Sequence, residues 1–241
     1  MLDFGFYNMD CMEGMKDIPD GYIDLAIVDP PYGIGADNFK NASGYVRKDG
    51  FIHVESASVR AKNRLNAGGG KLKNRTLNNS NCSWDVAPSK EYFDELFRIS
   101  KHQIIWGGNY FDLPPTRGII VWDKQQPWEN FSQVEMAWSN FDSPASLFRM
   151  RNSRNTGEQK VHPCEKPIEL YIWLLNRYAQ DGWKLIDTHV GSGNSLIAMH
   201  KCGFKDVLGF EINETYYNIA NERLKKEKSQ VTIFDLQEQL V

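Results

Sequence analysis

"VDPPYG", residues 28–33, ends a run that reads as a buried strand and then forbids its continuation. The run Ile23-Asp24-Leu25-Ala26-Ile27-Val28 is apolar and β-branched, the composition of a strand covered on both faces. Pro30 and Pro31 have no N–H to donate, so the ladder stops there and a stiff loop follows. That loop fixes Asp29 and Tyr32 at the carboxyl end of the strand, the edge where open α/β sheets bind ligands. A tight turn with an incidental acid would account for the tetrapeptide taken alone.

Outward from this point, strand-like and helix-like pieces alternate, the pattern of an α/β chain with a mostly parallel sheet and helices on its faces. Residues 4–8, 102–106, 118–122, 184–187 and 207–210 read as further strands. Residues 10–18, 88–100, 168–179, 194–201 and 216–226 read as helices. In the helix over 168–179, Leu170, Leu174, Leu175 and Tyr178 share one face. Residues 134–138 and 146–150 predict an antiparallel pair. Trp106, Trp122 and Trp138 lie on strands and are expected in the core, whereas His53, His102 and His200 are expected at the surface or at helix ends. No internal repeat is visible, and the chain reads as one domain, 1–241.

Composition narrows the class. Hydrophobic residues make up 41% and charged residues 24%, as in an ordinary soluble globule. No apolar run reaches the roughly 20 residues that cross a bilayer, so no membrane partner is expected. The start, MLDFGFYNMD, has no basic stretch of the secretory kind. Cys11, Cys82, Cys164 and Cys202 are scattered without a C-x-x-C pair, which predicts reduced cytoplasmic thiols and no metal site. The net charge of −3 is unevenly spread: residues 36–83 hold nine Lys/Arg against three acids, a balance of +6, and the remainder therefore carries −9. This long Gly/Asn/Lys-rich stretch is either a solvated loop or the surface for a polyanion.

"LIDTHVGSGNSLIAMH", residues 185–200, repeats the logic of the opening motif as strand, glycine loop and helix. Asp187 ends the strand, and Gly191 and Gly193 let the backbone turn sharply beside a ligand. The next strand ends in Glu211, placed to accept hydrogen bonds from two ribose hydroxyls. The six-residue dinucleotide fingerprint is missing, because its last position holds Leu196, and no Lys-Ser/Thr pair follows to cradle phosphates. The loop therefore suits a nucleoside-like ligand without a polyphosphate.

On these residues the chain resembles the S-adenosylmethionine-dependent DNA amino-methyltransferases, and so is expected to have their Rossmann-like fold. Asp29-Pro30-Pro31-Tyr32 is similar to the family's catalytic tetrapeptide, and Asp187–Gly193 to its cofactor loop, with Thr188 and His189 where Pro and Phe are usual. "HPCEKP", 162–167, and "NMDCMEGM", 8–15, resemble two further family segments, the second placing Asp10 near the adenine of the cofactor. The tetrapeptide precedes the cofactor loop, the permuted order of the family's β group, and "IIWGGNYF" and "IIVWDK" look like its small phage-type members. The resemblance implies cofactor contacts from Asp10, Cys11, Asp29, Lys166, Asp187, His189, Gly191, Ser192, Gly193, Asn194, Glu211 and Ile212.

The chemistry the resemblance implies is methyl transfer to the N6 amine of an adenine flipped out of duplex DNA, in a bacterial or phage-infected cytoplasm. Asp29 and the Pro30 carbonyl would accept the two amine hydrogens, and Tyr32 would stack on the base, without metal or covalent intermediate. Cytosine N4 is a close alternative acceptor, RNA or protein glutamine a more distant one, and a non-enzymatic nucleic-acid-binding module another class. Cys164 follows a proline, as a cytosine-C5 nucleophile would, but lies inside the 162–167 pattern. DNA contacts are expected from Lys40, Arg47, Lys48, Arg60, Lys62, Arg64, Lys71, Lys73 and Arg75 in the 36–83 insert and from Lys124, with Asn109 a further candidate near substrate. Residues 139–161, with Arg149, Arg151, Arg154 and Lys160, form an additional candidate recognition segment. A homodimer and a companion restriction endonuclease are left open.

Overall fold

The computed structural model describes residues 2–34, 85–126, 132–151 and 165–229, and the backbone of two short strands at 45–46 and 52–53. The chain forms two compact units, one of Met1–Asp29, Glu91–Ile105 and Glu165–Val241, the other of Pro30–Lys90 and Trp106–Cys164.

Among its described residues the first unit holds five parallel strands: β1 (Gly5–Asn8), β2 (Ile23–Val28), β5 (Ser100–Trp106, its last residue aside), β9 (Leu185–Asp187) and β10 (Val207–Glu211). Their order is β1-β10-β9-β2-β5. From β2 the chain moves outward to β5, whereas from β9 it moves the other way to β10. The order thus reverses between β2 and β9, and in open α/β sheets ligands bind outside the carboxyl ends of the strands at such a point. Leu25, Ala26, Ile27 and Val28 are buried, as a strand flanked on both sides requires.

The helices are α1 (Cys11–Met15), α2 (Lys90–Ile99), α3 (Ile168–Tyr178), α4 (Asn194–Lys201) and α5 (Glu214–Lys228). All lie within a few residues of the sequence expectation, except that α1 stops at Met15 rather than Ile18. Arg98 of α2 accounts for how that short helix ends. Its guanidinium donates to the carbonyls of Met15 at 3.1 Å and Ile18 at 2.7 Å, satisfying groups that a helix end leaves open. In α3, Leu170, Leu174, Leu175 and Tyr178 are buried together with Tyr171, as the periodicity predicts.

In the second unit, β6 (Ile120–Asp123) lies between β7 (Val134–Ser139) and β8 (Ser146–Arg149), antiparallel to the first and parallel to the second. The strands over 134–139 and 146–149 therefore exist, but they pair with β6 and not with each other. The reason lies at the start of β6. Ser139 Oγ donates to the Gly118 carbonyl at 2.6 Å, and Ser146 N–H donates to the Ile119 carbonyl at 2.9 Å, drawing the connection across that end. A Cβ on Gly118 would sit 2.4 Å from the Phe141 carbonyl oxygen, so glycine is what lets the chain pass. Trp106, Trp122 and Trp138 are buried as expected, and the indole N–H groups of the last two donate to the carbonyls of Met150 and Pro114. Strands β3 (Tyr45–Val46) and β4 (Ile52–His53) pair antiparallel within the 36–83 stretch; the remainder of that stretch lies outside the described residues.

Gly14 of α1 meets Phe210 of β10 so closely that a Cβ would lie 2.5 Å from Cζ of that fully buried ring. Gly14→Ala should therefore destabilise the fold by about 1–3 kcal/mol through overpacking, despite alanine's better helix propensity. Urea denaturation reads this directly, and unchanged stability would mean that α1 shifts freely on the sheet.

Candidate active site

Glu211, Asp187 and Asp29 stand at the carboxyl ends of the neighbouring strands β10, β9 and β2. Three carboxylates on adjacent strand ends repel one another and lose hydration, so each needs a partner. The partners differ.

Asp29 meets Lys166, whose Nζ lies 2.5 Å from Oδ2. The lysine side chain is only 1% exposed, against 15% for the aspartate. Lys166 belongs to the segment just before α3, and its carbonyl accepts from Asn194 Nδ2 at 2.6 Å.

Asp187 accepts from the Ser195 hydroxyl and, at 2.9 Å, from the His189 backbone N–H. Burial pushes its pKa up to about 7; the two hydrogen bonds oppose the rise, and the charges of Asp29 and Glu211 add to it. Glu211 accepts one N–H on each oxygen, from Gly191 and from Asn213, both at 2.8 Å. Burial raises its pKa while these two bonds hold it down. Glu211 thus ties the tip of the glycine loop to the start of α5.

The loop turns as glycine permits: Gly191 and Gly193 have φ of 54° and 85°, and a Cβ on Gly193 would lie 3.0 Å from that of Ala220 in α5. Asn194 opens α4 and is buried, with Nδ2 donating to Glu165 Oε1 at 2.9 Å. Arg223 of α5 donates to the Ser192 carbonyl and, at 2.8 Å, to Asn194 Oδ1, with Glu165 Oε1 at 3.4 Å. Asp10 caps α1 by accepting from Met12 N–H at 2.8 Å. Cys11 follows it as a free thiol, pushed up to about 12 by burial and by the charge of Asp10. Ile212 is 69% exposed immediately after Glu211, an apolar side chain open to solvent beside the loop.

His189 is held from two sides. Its Nδ1 lies 2.9 Å from Thr188 Oγ1, which in turn lies 2.6 Å from the hydroxyl of Tyr92 in α2. Tyr92 also meets the imidazole edge-on at 5.3 Å between centroids. Burial depresses the His189 pKa to about 4, so the ring is neutral near neutral pH.

In the second unit Tyr32 stacks on Tyr110, centroids 5.0 Å apart, with Phe111 at its edge. Gly107, at φ 70°, makes room: a Cβ there would lie 2.3 Å from the Tyr32 ring. Gly33 N–H donates to Asp85 Oδ1 at 2.9 Å, fixing the loop after the tetrapeptide. Asn109 is exposed in a 3-10 turn. Lys124 is buried, ion-paired with Glu135 and 5.4 Å from the centroid of Trp122, a placement unlike that of a surface cation poised for phosphate. Lys40, Arg47, Lys48, Arg60, Lys62, Arg64, Lys71, Lys73 and Arg75 lie outside the residues whose side chains are described, as do Cys164, Arg154 and Lys160.

Sequence reasoning singled out the three carboxylates and the glycine loop but missed Tyr92, Glu165, Asn213 and Arg223. Asn213 was readable: an Asn before a helix is a cap, and its Oδ1 accepts from Thr215 and Tyr216 N–H. Arg223 gave no signal, being one cation among several on a basic helix.

A parallel sheet whose strand order reverses beside a glycine loop is a Rossmann-like α/β arrangement, and solved structures share the fold. The PvuII DNA methyltransferase (cytosine-N4-specific) superposes with a TM-score of 0.54 at 13% identity, over 94% of this chain and 92% of its own. M1.HpyAVI in complex with S-adenosylmethionine gives 0.53 at 16% identity, over 93% and 99%. Residues 121–222 match the N6/N4 methyltransferase family model described as "DNA methylase". The type II methyltransferase M.ScaI of Streptomyces caespitosus is 22% identical over 93% of this chain and 82% of its own length. M.HpaI of Haemophilus parainfluenzae, also a type II methyltransferase, is 21% identical over 90% and 72%. The chain is thus similar in sequence to the N6/N4 methyltransferase family model over 121–222 and to type II methyltransferases over most of its length, and it shares its fold with solved DNA methyltransferases. Among the described residues no cluster of side chains suits a metal ion, and no helix is long and apolar enough to cross a membrane.

The buried, neutral His189 makes a test. A histidine whose pKa falls on folding stabilises fully above its unfolded value near 6.5, and this is lost as pH drops towards about 4. Asp187, raised to about 7, acts in the opposite sense over much of the same range, gaining relative stability as pH falls. His189→Phe removes only the first effect. Relative to wild type, the variant should gain roughly 2 kcal/mol of stability on going from neutral pH to about pH 5. Chemical denaturation at the two pH values checks this; parallel behaviour of the two proteins would show that His189 is not held neutral.

Proposed function

We propose that this chain is a site-specific DNA methyltransferase that acts on the N6 amine of an adenine flipped out of the duplex. The observation that carries the reading is Asp29: a mostly buried carboxylate at the sheet's switch point, held by Lys166, at the head of Asp-Pro-Pro-Tyr. S-adenosylmethionine supplies a methyl group already activated on a sulfonium.

The exocyclic amine is a poor nucleophile because its lone pair is delocalised into the ring. Asp29 accepts one amine hydrogen and the Pro30 carbonyl the other, which favours a tetrahedral nitrogen with its lone pair directed at the methyl group. Once methylated, the nitrogen is acidic and passes a proton to Asp29. Tyr32, in the same loop, offers a π-face to the flipped base. Glu211 would hold the ribose hydroxyls with lone pairs beyond those used by Gly191 and Asn213, Asp10 and the exposed Ile212 would border the adenine, and the loop from Asp187 to Asn194 would take the remainder. The glycine-turned loop and the apolar Ile212 next to a buried carboxylate fit an adenosyl group. An aspartate at position 29, where cytosine-N4 enzymes often carry serine, favours adenine.

The +6 balance of residues 36–83 supports a DNA-facing role for that insert. The similarity to M.ScaI and M.HpaI, both type II methyltransferases, supports a place in restriction and modification.

Incubation with S-adenosylmethionine and duplex DNA, followed by nucleoside mass spectrometry, should give N6-methyladenine. N4-methylcytosine, or no methylated nucleoside, would overturn the reading. Asp29→Ala should lose methyl transfer while binding S-adenosylmethionine within about tenfold of wild type, because the carboxylate acts on the amine in the transition state.

A further inference from the structure

We propose that Lys166 is a positioning residue for methyl transfer: its buried ammonium holds the Asp29 carboxylate in the orientation that receives the substrate amine, instead of contacting the cofactor. The inference rests on the reading of Asp29 as the amine's acceptor. A lysine that is 1% exposed carries its charge only with an anion at contact distance, and Asp29 Oδ2 is that anion at 2.5 Å. A carboxylate with one oxygen fixed has its plane fixed, and orientation at this atom decides whether the amine's lone pair points at the methyl group.

The lysine is itself braced from the far side of the unit. Its carbonyl accepts from Asn194 Nδ2 at 2.6 Å, and the same amide nitrogen donates to the neighbouring Glu165 at 2.9 Å. Arg223 of α5 secures Asn194 Oδ1 at 2.8 Å and reaches Glu165 at 3.4 Å, while also holding the Ser192 carbonyl. Pro167, at φ −62°, then starts α3 and restrains the chain on the other side of Lys166. A backbone held on both sides and an ammonium on Asp29 leave the aspartate little freedom to turn. The same bracing reaches the glycine loop through Ser192 and Asn194, so the acid and the cofactor loop share one support.

The test compares the full-length wild type with Lys166→Met and Lys166→Arg, measuring S-adenosylmethionine affinity by calorimetry and the single-turnover methylation rate on duplex DNA at saturating cofactor. Lys166→Met should slow transfer by about a hundredfold, the cost of a misplaced reacting group. Its cofactor affinity should stay within about threefold of wild type. Lys166→Arg, which keeps the charge, should retain the rate within about tenfold. If Lys166→Met does not fold, Lys166→Gln gives the same two readouts without the charge. An unchanged rate in the neutral variant overturns the inference, and so does a loss of cofactor affinity that matches the loss of rate. A wild type that transfers no methyl group would instead refute the reading of Asp29 and take the inference with it, whereas an active wild type with an equally active neutral variant removes the inference alone.

Discussion

Three carboxylates crowded onto the ends of three adjacent parallel strands set the terms for the rest of the first unit. Burial and mutual repulsion both disfavour the charged forms, and the chain answers differently at each position. Asp29 has a buried cation, Glu211 has two backbone N–H groups, and Asp187 has a hydroxyl, an N–H and a pKa near 7. Each answer organises a different stretch of chain. Lys166 fixes the approach to α3, Glu211 joins the glycine loop to α5, and Asp187 anchors the first turn of α4 through Ser195. The site is thus assembled from segments far apart in sequence, held by the need to compensate buried charge.

Strand order explains why these acids meet. Neighbours β2 and β9 are separated by more than half the chain, and the reversal of connection direction between them opens the sheet at their carboxyl ends. A carboxylate there sits beside a crevice and at the start of a loop. Pro30 and Pro31 close off the strand at β2, and Gly191 and Gly193 do the equivalent at β9, so backbone chemistry marks both positions.

What was legible in the sequence follows from which interactions are local. Periodicity and strand composition located the helices and the strands of the first unit because burial repeats along each element. The same local reading failed for β7 and β8: two short strands joined by a turn look like a hairpin, and nothing within 134–149 reveals that β6 lies between them. Asp29, Asp187 and Glu211 could be singled out because each ends a strand that its own neighbourhood marks, and the structure sets them side by side. Arg223, Glu165 and Tyr92 were not, because their partners at Ser192, Asn194 and Thr188 are distant in the chain. Lys166 was expected against the cofactor as part of its segment, whereas its ammonium lies on the aspartate of the other motif, a pairing no local sequence shows. Lys124 was expected at the DNA surface, yet as a buried cation it pairs with a cross-strand acid, Glu135, a contact visible only once β6 and β7 are in register.

The most direct test of the account is a crystal structure of the protein with S-adenosylhomocysteine and a duplex carrying the methylated sequence. The account predicts the target adenine outside the helix with N6 at hydrogen-bonding distance from the Asp29 carboxylate, which remains on Lys166, and the ribose of the cofactor at Glu211. An adenine whose amine points away from Asp29, or a cofactor bound elsewhere than at the ends of β9 and β10, would contradict it.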